Sequence, residues 1–211
     1  MDEAEARAWL QRSFDVPRET MDRLDDFAAA LREENGRQNL VSKASLDSLW
    51  SRHIADSAQL ICFAPSAEAT WLDLGSGPGF PGLIVAALHS GPVTLVEERR
   101  RRVDFLHRAA EILGVGVEII GMKLERMPPR PFEAISARAF APLGRLLALA
   151  TGFSTRKTVW LLPKGRNAES ELEALEPSWQ GDFRLEPSLT DPDARIIVAE
   201  GISRRGAGSR V

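Results

Sequence analysis

The chain has 211 residues and a formal net charge of −3, with 44% hydrophobic and 27% charged residues, so we expect one medium domain rather than a polycation that binds nucleic acid through bulk charge. No apolar run approaches the roughly 20 residues of a membrane span, and the acidic N-terminus lacks a signal-peptide pattern, so we expect a cytoplasmic protein without membrane association. Cys62 is the only cysteine, which excludes an internal disulfide and a cysteine-based zinc site.

The first 66 residues are predicted to be a helical segment that packs on the rest of the chain. One helix should begin at Pro17 and end near Asn35, because proline suits a first turn and apolar residues recur along one face. Residues 35–39 resemble a helix C-cap and turn. A second helix is predicted from about Ser45 to Phe63, which would place Cys62 in the core, and residues 64–66 would form a linker.

From Thr70 onward, short apolar strands alternate with helices, which is typical of a mostly parallel sheet with helices on both faces. The predicted strands are residues 70–74, 92–97, 115–120, 132–137, 158–163, 182–187 and 194–200. The predicted helices are residues 80–89, 99–113, 143–150 and 168–175. The last two strands would form an antiparallel hairpin that completes a seven-stranded sheet. We therefore divide the chain into helical residues 1–66, an α/β domain at 67–202 and a flexible tail at 203–211.

A glycine-rich loop directly follows the first predicted strand in the segment DLGSGPGFPG. Gly75, Gly77 and Gly79 allow positive φ and let a ligand approach the backbone closely. The helix that follows should begin near Phe80 or Pro81, and its first amides could attract a carboxylate. The loop therefore predicts a ligand site at the start of this helix.

The class of ligand is ambiguous from the loop alone. Residues 77–82 also satisfy the dinucleotide pattern G-x-G-x-x-G, and Glu97, 20 residues beyond Gly77, could bind ribose hydroxyls in either class. The carboxylate of Asp73 disfavours a pyrophosphate and suits the positive charges of S-adenosylmethionine, and Pro81 lacks an amide donor. These residues favour S-adenosylmethionine; a nicotinamide or flavin dinucleotide and a turn without a ligand remain alternatives.

The residues after the fourth predicted strand bear on the atom that would be methylated. A C5-pyrimidine methyltransferase needs a nucleophilic cysteine, whereas Cys62 lies in a predicted helix before the α/β domain. Enzymes acting on exocyclic amines usually carry Asn/Asp-Pro-Pro-aromatic here, and this chain has ISARAFA. Arg138 in that segment suggests instead a purine ring nitrogen such as guanine N7, which has no proton to remove and needs positioning more than a general base.

Together these segments resemble a known family, the bacterial small-subunit ribosomal RNA guanine-N7 methyltransferase G, also called glucose-inhibited division protein B. The similarity runs from about Leu24 to about Glu200. The matching segments are QNLVS (38–42), RHIADS (52–57), LDLGSGPGFPG (72–82), LVEERRRRVDFL (95–106), ISARAFAPL (135–143), LPKG (162–165) and RIIVAE (195–200). The combination of RHIADS with ARAFA and KG is specific, whereas the glycine loop alone is not.

The resemblance implies a Rossmann-like class I S-adenosylmethionine-dependent methyltransferase fold with N-terminal helices. It implies a cytoplasmic enzyme that methylates N7 of a guanine in the 530 loop of 16S rRNA. The partner would be 16S rRNA or the small ribosomal subunit, and we expect a monomer without a metal site.

The resemblance also assigns roles by position. The residues implied to contact the cofactor or to shape its loop are Gly75, Gly77, Gly79, Phe80, Glu97, Leu124, Glu125 and Arg138, with Glu97 on the ribose. The residues implied to line the pocket from the helical side are Asn39, Ser42, Arg52, His53, Asp56 and Ser57. Arg138, Lys164 and Arg195 would be the positive groups nearest the substrate, the first two positioning the reactants.

Simpler explanations exist for several of these residues. Arg52 and Asp56 are four residues apart, so an intrahelical ion pair would be enough to explain both residues without a role in the site. The quartet Arg99–Arg102, more basic than the usual pattern, could bind RNA phosphate or form a solvated first turn. Lys164 could be a surface lysine, and Val41 stands where the family often has threonine. A small-molecule methyltransferase, a noncatalytic RNA-binding protein of this fold and a dehydrogenase remain alternative functions.

Overall fold

The computed structural model describes residues 1–175, 177 and 179–205. Its centre is a seven-stranded sheet with strand order β3-β2-β1-β4-β5-β7-β6. The strands are β1 (Trp71–Leu74), β2 (Val93–Val96), β3 (Val117–Ile120), β4 (Ala134–Ala137), β5 (Val159–Gly165), β6 (Trp179–Pro187) and β7 (Arg195–Arg204). The first five strands are parallel, and β7 is antiparallel to both β5 and β6. The predicted sheet with its antiparallel terminal hairpin is therefore confirmed.

The α-helices lie before the sheet and between its strands. They are α1 (Glu3–Phe14), α2 (Arg18–Gln38), α3 (Lys43–Leu46), α4 (Asp56–Ala58), α5 (Gly82–Leu88), α6 (Arg100–Leu113), α7 (Leu143–Ala150) and α8 (Ala168–Glu173). A π-helix spans Trp50–Ala55, and short 3₁₀ helices span Gln59–Phe63, Leu124–Arg126 and Thr151–Phe153. Within the described part of the chain, no helix is both long enough and apolar enough to cross a membrane.

The helix predicted from Pro17 ends at Gln38, three residues beyond its expected end, and two asparagines close it there. Asn39 adopts a left-handed conformation with φ 47° and donates its amide to the carbonyl of Asn35, while the buried Asn35 side chain accepts from the amide of Val41. Gly36 therefore lies inside α2 rather than in a C-cap. Asparagine tolerates this conformation better than most residues.

The single helix predicted from Ser45 to Phe63 is wrong. The chain there forms α3, the π-helix, α4 and a 3₁₀ helix in succession. The carboxylate of Glu3 in α1 accepts hydrogen bonds from the amides of Trp50 and Ser51, which holds the start of the π-helix. Leu49, Trp50, Ile54 and Ala58 are nevertheless buried, whereas Cys62, predicted to be in the core, lies in the 3₁₀ helix and is exposed.

Two hydrophobic clusters cover the faces of the sheet. One joins the N-terminal helices to α5 and α6, and the other joins α7 to the opposite face. Strand β1 alternates between them, with Trp71 on the first face and Leu72 and Leu74 on the second. Residues 1–66 thus pack on one face of the sheet. At the other end of the chain, β7 runs to Arg204, two residues beyond the predicted domain boundary, and residues 206–211 of the predicted tail lie outside the described residues.

Candidate cofactor and substrate site

A cavity of about 390 Å³ opens at the carboxyl ends of β1 to β4. Its walls come from the loops that follow these strands and from α6 and α7. The lining residues are Gly75, Val96, Glu97, Glu98, Arg99, Arg102, Met122, Lys123, Leu124, Glu125, Ala139, Phe140, Ala141, Pro142, Arg145 and Leu149. Ligands of open α/β sheets bind at this edge, and the volume lies in the range of small-molecule sites.

The glycine loop forms the floor of the cavity at Gly75. Gly75, Gly77 and Gly79 all have positive φ, at 67°, 54° and 105°, as the sequence predicted. The amides of residues 75–83 are already engaged within the protein: they donate to the carbonyls of Val96, Ser76 and Gly79 and to the carboxylates of Glu97 and Asp73, and prolines 78 and 81 have no amide. The loop therefore lets a ligand approach the backbone but offers no free amide to a pyrophosphate.

Glu97 stands at the end of β2 on the cavity wall, where the sequence placed the ribose-binding carboxylate. Its side chain is only 4% exposed. One oxygen accepts from the amide of Gly77 at 3.0 Å and the other from the amide of Arg99 at 2.9 Å. Arg102 Nη1 lies 3.6 Å from Oε2, so within the basic quartet this arginine faces the carboxylate and the cavity. A carboxylate oxygen can accept further bonds, so Glu97 can still receive ribose hydroxyls.

Asp73 has a different environment from the one predicted, because its carboxylate is fully buried. Oδ1 accepts from Ser136 Oγ at 2.7 Å, and Oδ2 accepts from the Gly82 amide at 3.1 Å. The indole of Trp71 donates to the same Ser136 hydroxyl at 2.9 Å. Burial raises the pKa of Asp73 against the opposing hydrogen bonds. The expected direct contact with the cofactor is thus not supported: Asp73 fixes the loop, and it occupies the first α5 amide that was expected to attract a ligand carboxylate.

The start of α5 requires glycine at position 82. A Cβ there would collide with Leu95 and lie 2.8 Å from Asp73 Oδ2. The helix begins at Gly82, one residue later than the nearer predicted start at Pro81. Close contact between helix and strand is the role that the third glycine has in such loops.

Arg138, at the end of β4, brings the ARAFA and RHIADS segments together. Its Nη1 lies 2.9 Å from His53 Nδ1, 3.4 Å from the carbonyl oxygen of Arg52 and 3.7 Å from Asp56 Oδ2. Its Cζ lies 5.2 Å from the centre of the Phe80 ring. The side chain is 20% exposed. The two segments that lie 86 residues apart in sequence therefore meet at one guanidinium.

The groups around Arg138 differ in charge. Burial first, then Arg138 and Arg52, lower the pKa of His53 to about 3, so the imidazole is neutral. Burial raises the pKa of Asp56 against the effect of Arg138, and its Oδ1 accepts from Thr190 Oγ1 at 2.9 Å. Within the described residues, the ion pair of Asp56 is with Arg138 and not with Arg52, so the simpler explanation of an intrahelical pair does not hold.

Lys164 is neither a surface lysine nor directed at the cavity. Its side chain is 10% exposed, and Nζ lies 2.8 Å from Glu171 Oε2 and 3.3 Å from the carbonyl of Ala141. The same Glu171 oxygen accepts from the Leu143 amide at 3.0 Å. Lys164 therefore ties the loop after β4 to α8, a contact between distant elements that its sequence position does not indicate. Arg195, at the start of β7, donates to the carbonyls of residues 192 and 194.

Three residues predicted on the helical side have evident structural partners. Asn39 is the exposed C-cap of α2. Ser42 is exposed and caps α3, where its hydroxyl accepts from the Ser45 amide at 3.2 Å. Ser57 is buried and donates to the carbonyl of His53 at 2.6 Å. None of the three is among the residues that line the cavity.

The predicted cofactor residues beyond the glycine loop divide into two groups. Leu124 and Glu125 line the cavity from the short helix after β3, as expected. Phe80 is buried beneath the site, where its ring stacks on His53 with centroids 4.9 Å apart and meets Phe27 edge-on at 5.6 Å. In this geometry the Phe80 ring supports the side chains of His53 and Arg138.

Part of the cavity wall was not predicted from the sequence. Phe140 packs directly on the loop, since a Cβ on Gly75 would lie 2.6 Å from Phe140 Cδ2. Ala139 before it has a positive φ of 52°, which turns the loop toward the cavity. Arg145 of α7 also lines the cavity and carries no pattern that could have indicated it. Phe140 lies within ARAFA, so the resemblance marked its segment without assigning it a role.

Comparison with known proteins finds both sequence relatives and proteins of similar fold. The family model for rRNA small subunit methyltransferase G matches residues 20–189. The chain is 52% identical over 214 residues to the ribosomal RNA small subunit methyltransferase G of Rhizorhabdus wittichii, covering 100% of this chain and 98% of that protein. The fold is similar to the ribosomal protein L11 methylase of Lactobacillus delbrueckii subsp. bulgaricus, with TM-score 0.56, 18% identity and coverage of 72% and 78%. It is also similar to a mutant of MtNAS in complex with S-adenosylmethionine, with TM-score 0.57, 15% identity and coverage of 95% and 84%.

Proposed function

The chain belongs to the rRNA small subunit methyltransferase G family, and we propose that it transfers a methyl group from S-adenosylmethionine to N7 of a guanine in the 530 loop of 16S rRNA. The observation that carries the proposal is the meeting of the RHIADS and ARAFA segments at Arg138, beside a cavity bounded by Gly75 and Glu97. The substrate would be naked 16S rRNA or the small ribosomal subunit.

The hydrogen bonds of the glycine loop support S-adenosylmethionine over a dinucleotide. A pyrophosphate needs several free amides, whereas the amides of residues 75–83 already donate within the protein. Glu97 on the cavity wall suits the ribose hydroxyls, and Leu124 and Glu125 form the wall beyond it. These groups fit an adenosine that carries positive charge rather than phosphates.

The site supports the proposal of a ring-nitrogen acceptor. S-adenosylmethionine supplies an electrophilic methyl group on a sulfonium. Guanine N7 offers a lone pair and no proton, so no residue needs to act as general base. Two buried candidate bases are already engaged, with His53 Nδ1 beside Arg138 and both Asp73 oxygens in hydrogen bonds. The work of the chain is therefore to bind and orient, and the cationic Arg138 together with the exposed Arg52 suits an anionic substrate.

The test is a labelled-methyl assay on small ribosomal subunits, naked 16S rRNA and a nucleoside panel, followed by nuclease digestion and mass spectrometry. The expected product is 7-methylguanosine from at least one RNA form. Label absent from both RNA forms would refute the rRNA assignment, and label confined to nucleosides would indicate a small-molecule enzyme. A methylated carbon or exocyclic amine in the RNA would refute the ring-nitrogen assignment alone.

The cofactor assignment has its own matched pair of variants. Glu97→Gln keeps the shape of the side chain and removes its charge, so we expect the calorimetric Kd for S-adenosylmethionine to rise about 10-fold or more. Glu98→Gln is the control, because Glu98 lines the same cavity but is half exposed and lies 4.0 Å from Lys123. Equal affinities in the two variants would show that Glu97 does not hold the ribose. Binding of NAD with exclusion of S-adenosylmethionine would point to a dehydrogenase.

A further inference from the structure

We propose that His53 is a positioning residue for methyl transfer, which accepts a hydrogen bond from Arg138 through Nδ1 and fixes the direction of that guanidinium at the end of β4. This role differs from the direct substrate contact that the sequence suggested. The inference rests on the proposed function only in that Arg138 must serve the reaction. The contact itself can be tested whether or not the rRNA assignment holds.

The hydrogen bond to His53 is the shortest contact that fixes Arg138. Nη1 lies 2.9 Å from Nδ1, whereas the Arg52 carbonyl lies at 3.4 Å and the Asp56 carboxylate at 3.7 Å. A donor placed within normal hydrogen-bond length is directional, and an ion pair at the longer distance is less so. The imidazole therefore decides where the guanidinium points.

The imidazole is itself held in place. Its ring lies parallel to Phe80, with centroids 4.9 Å apart and planes inclined by 16°. Ser57, one turn after His53, donates its hydroxyl to the carbonyl of His53 at 2.6 Å, which fixes the backbone of His53. The residue is 9% exposed, and it lies in the π-helix Trp50–Ala55, a form of helix that recurs at functional sites.

The far nitrogen of the ring argues against direct contact with RNA. Nε2 is buried, and it has no hydrogen-bond partner among the residues that the structure describes. Since Nδ1 accepts from Arg138, Nε2 carries the proton of the neutral imidazole. Neither nitrogen is available to a substrate: one is engaged and the other is enclosed. His53 therefore acts on the reaction through Arg138 rather than by contact with the substrate.

The charge of the ring is suited to this task. A protonated imidazole would donate at Nδ1 and repel Arg138, so acceptance requires the neutral form. The charged groups that face the ring are Arg138 and Arg52, with Asp56 beyond Arg138. Burial and the two arginines oppose protonation, which keeps the acceptor intact at physiological pH.

A double-mutant cycle distinguishes positioning from an independent role. His53→Leu removes the acceptor, and we expect kcat/KM for small subunits to fall about 10- to 100-fold, as for loss of a hydrogen bond to a charged group. His53→Asn places an amide oxygen near Nδ1 and should restore most of the activity. In an Arg138→Ala background, His53→Leu should cause no further loss in activity or in cofactor Kd. Equal losses in both backgrounds would overturn the proposal, because His53 would then act without Arg138.

Nuclear magnetic resonance of ¹⁵N-labelled histidine tests the contact independently of activity. The chain has three histidines, and comparison with His53→Asn identifies the signal. We expect the Nε2–H tautomer with no titration between about pH 5 and about pH 8. The Nδ1–H tautomer, or titration near the ordinary histidine value, would refute the proposal even if the protein methylates rRNA. Conversely, an inactive protein with the expected signal would refute the proposed function and leave the contact standing.

Discussion

Acidification should destabilise the folded protein through His53, before most carboxylates begin to titrate. Burial and two nearby arginines lower the pKa of His53 from 6.5 to about 3 in the folded state. The unfolded chain therefore takes up a proton near pH 6.5 and the folded chain does not. The stability contributed by the neutral His53 is fully present above the pKa of the unfolded state and is lost as the pH falls toward the pKa of the folded state.

The magnitude follows from the separation of the two pKa values. Each unit of pH below the unfolded value costs about 1.4 kcal/mol until the folded value is reached. Between about pH 7.5 and about pH 5, the loss attributable to His53 is therefore about 2 kcal/mol. Burial raises the pKa of Asp56 and Asp73, which acts in the opposite direction, so only a comparison with a variant isolates the histidine.

Urea unfolding at both pH values, in wild type and in His53→Asn, measures this difference. The wild type should lose about 2 kcal/mol more than the variant on acidification. His107→Asn is the matched control, because His107 is exposed on α6, and it should follow the wild type. If wild type and His53→Asn lose the same stability, the imidazole is not held neutral, and the argument for its role as an acceptor fails with it.

Three further predictions concern stability and the tethered loop. Gly82→Ala should destabilise the fold by about 2 kcal/mol or more in urea unfolding, since its Cβ collides with side chains of β1 and β2. Gly36→Ala is the control: it has open space inside α2 and should stabilise the fold by roughly 0.5–1 kcal/mol. Equal effects of the two substitutions would contradict the packing at the start of α5. Ser136→Ala should lower the free energy of unfolding by about 1–3 kcal/mol, because it leaves the buried indole N–H of Trp71 and the carboxylate of Asp73 without their shared hydroxyl. An unchanged urea midpoint would argue against these two hydrogen bonds. Lys164→Ala and Glu171→Ala should both reduce methyl transfer if Lys164 acts by holding the loop. A loss in the first alone would mean that Lys164 touches the substrate.

The sheet could be predicted because its sequence signals are local. Short apolar runs, helical spacing and a glycine loop directly after β1 each act over a few residues, and the strands lie where those runs are. The segment Ser45–Phe63 could not be predicted in the same way. Its apolar spacing permits one continuous helix, but bonds to Glu3 and the packing of α1 select a π-helix, and such contacts between distant residues leave no periodic pattern.

For the candidate site, the sequence indicated several residues but not their contacts. Family resemblance marked Arg138, His53 and Glu97, and they lie at one edge of the sheet or just beside it. It could not show that Asp73 is buried or that Lys164 pairs with Glu171, because burial and long-range pairing depend on the whole fold. A polar residue in a motif can serve the ligand or the scaffold, and only the structure distinguishes the two.

Arg138 and its polar partners come from different segments of the chain, which has a consequence for recombining this protein with its relatives. The guanidinium comes from the end of β4, but its three anchors come from residues 52–56 of the helical segment. A chimera that exchanges the first 66 residues therefore separates the Arg138 side chain from these three polar partners and leaves it the contact with Phe80. Crossovers between positions 57 and 138 should yield folded but poorly active hybrids unless both parents share the anchors, so a recombination library should exchange the two segments as a linked unit.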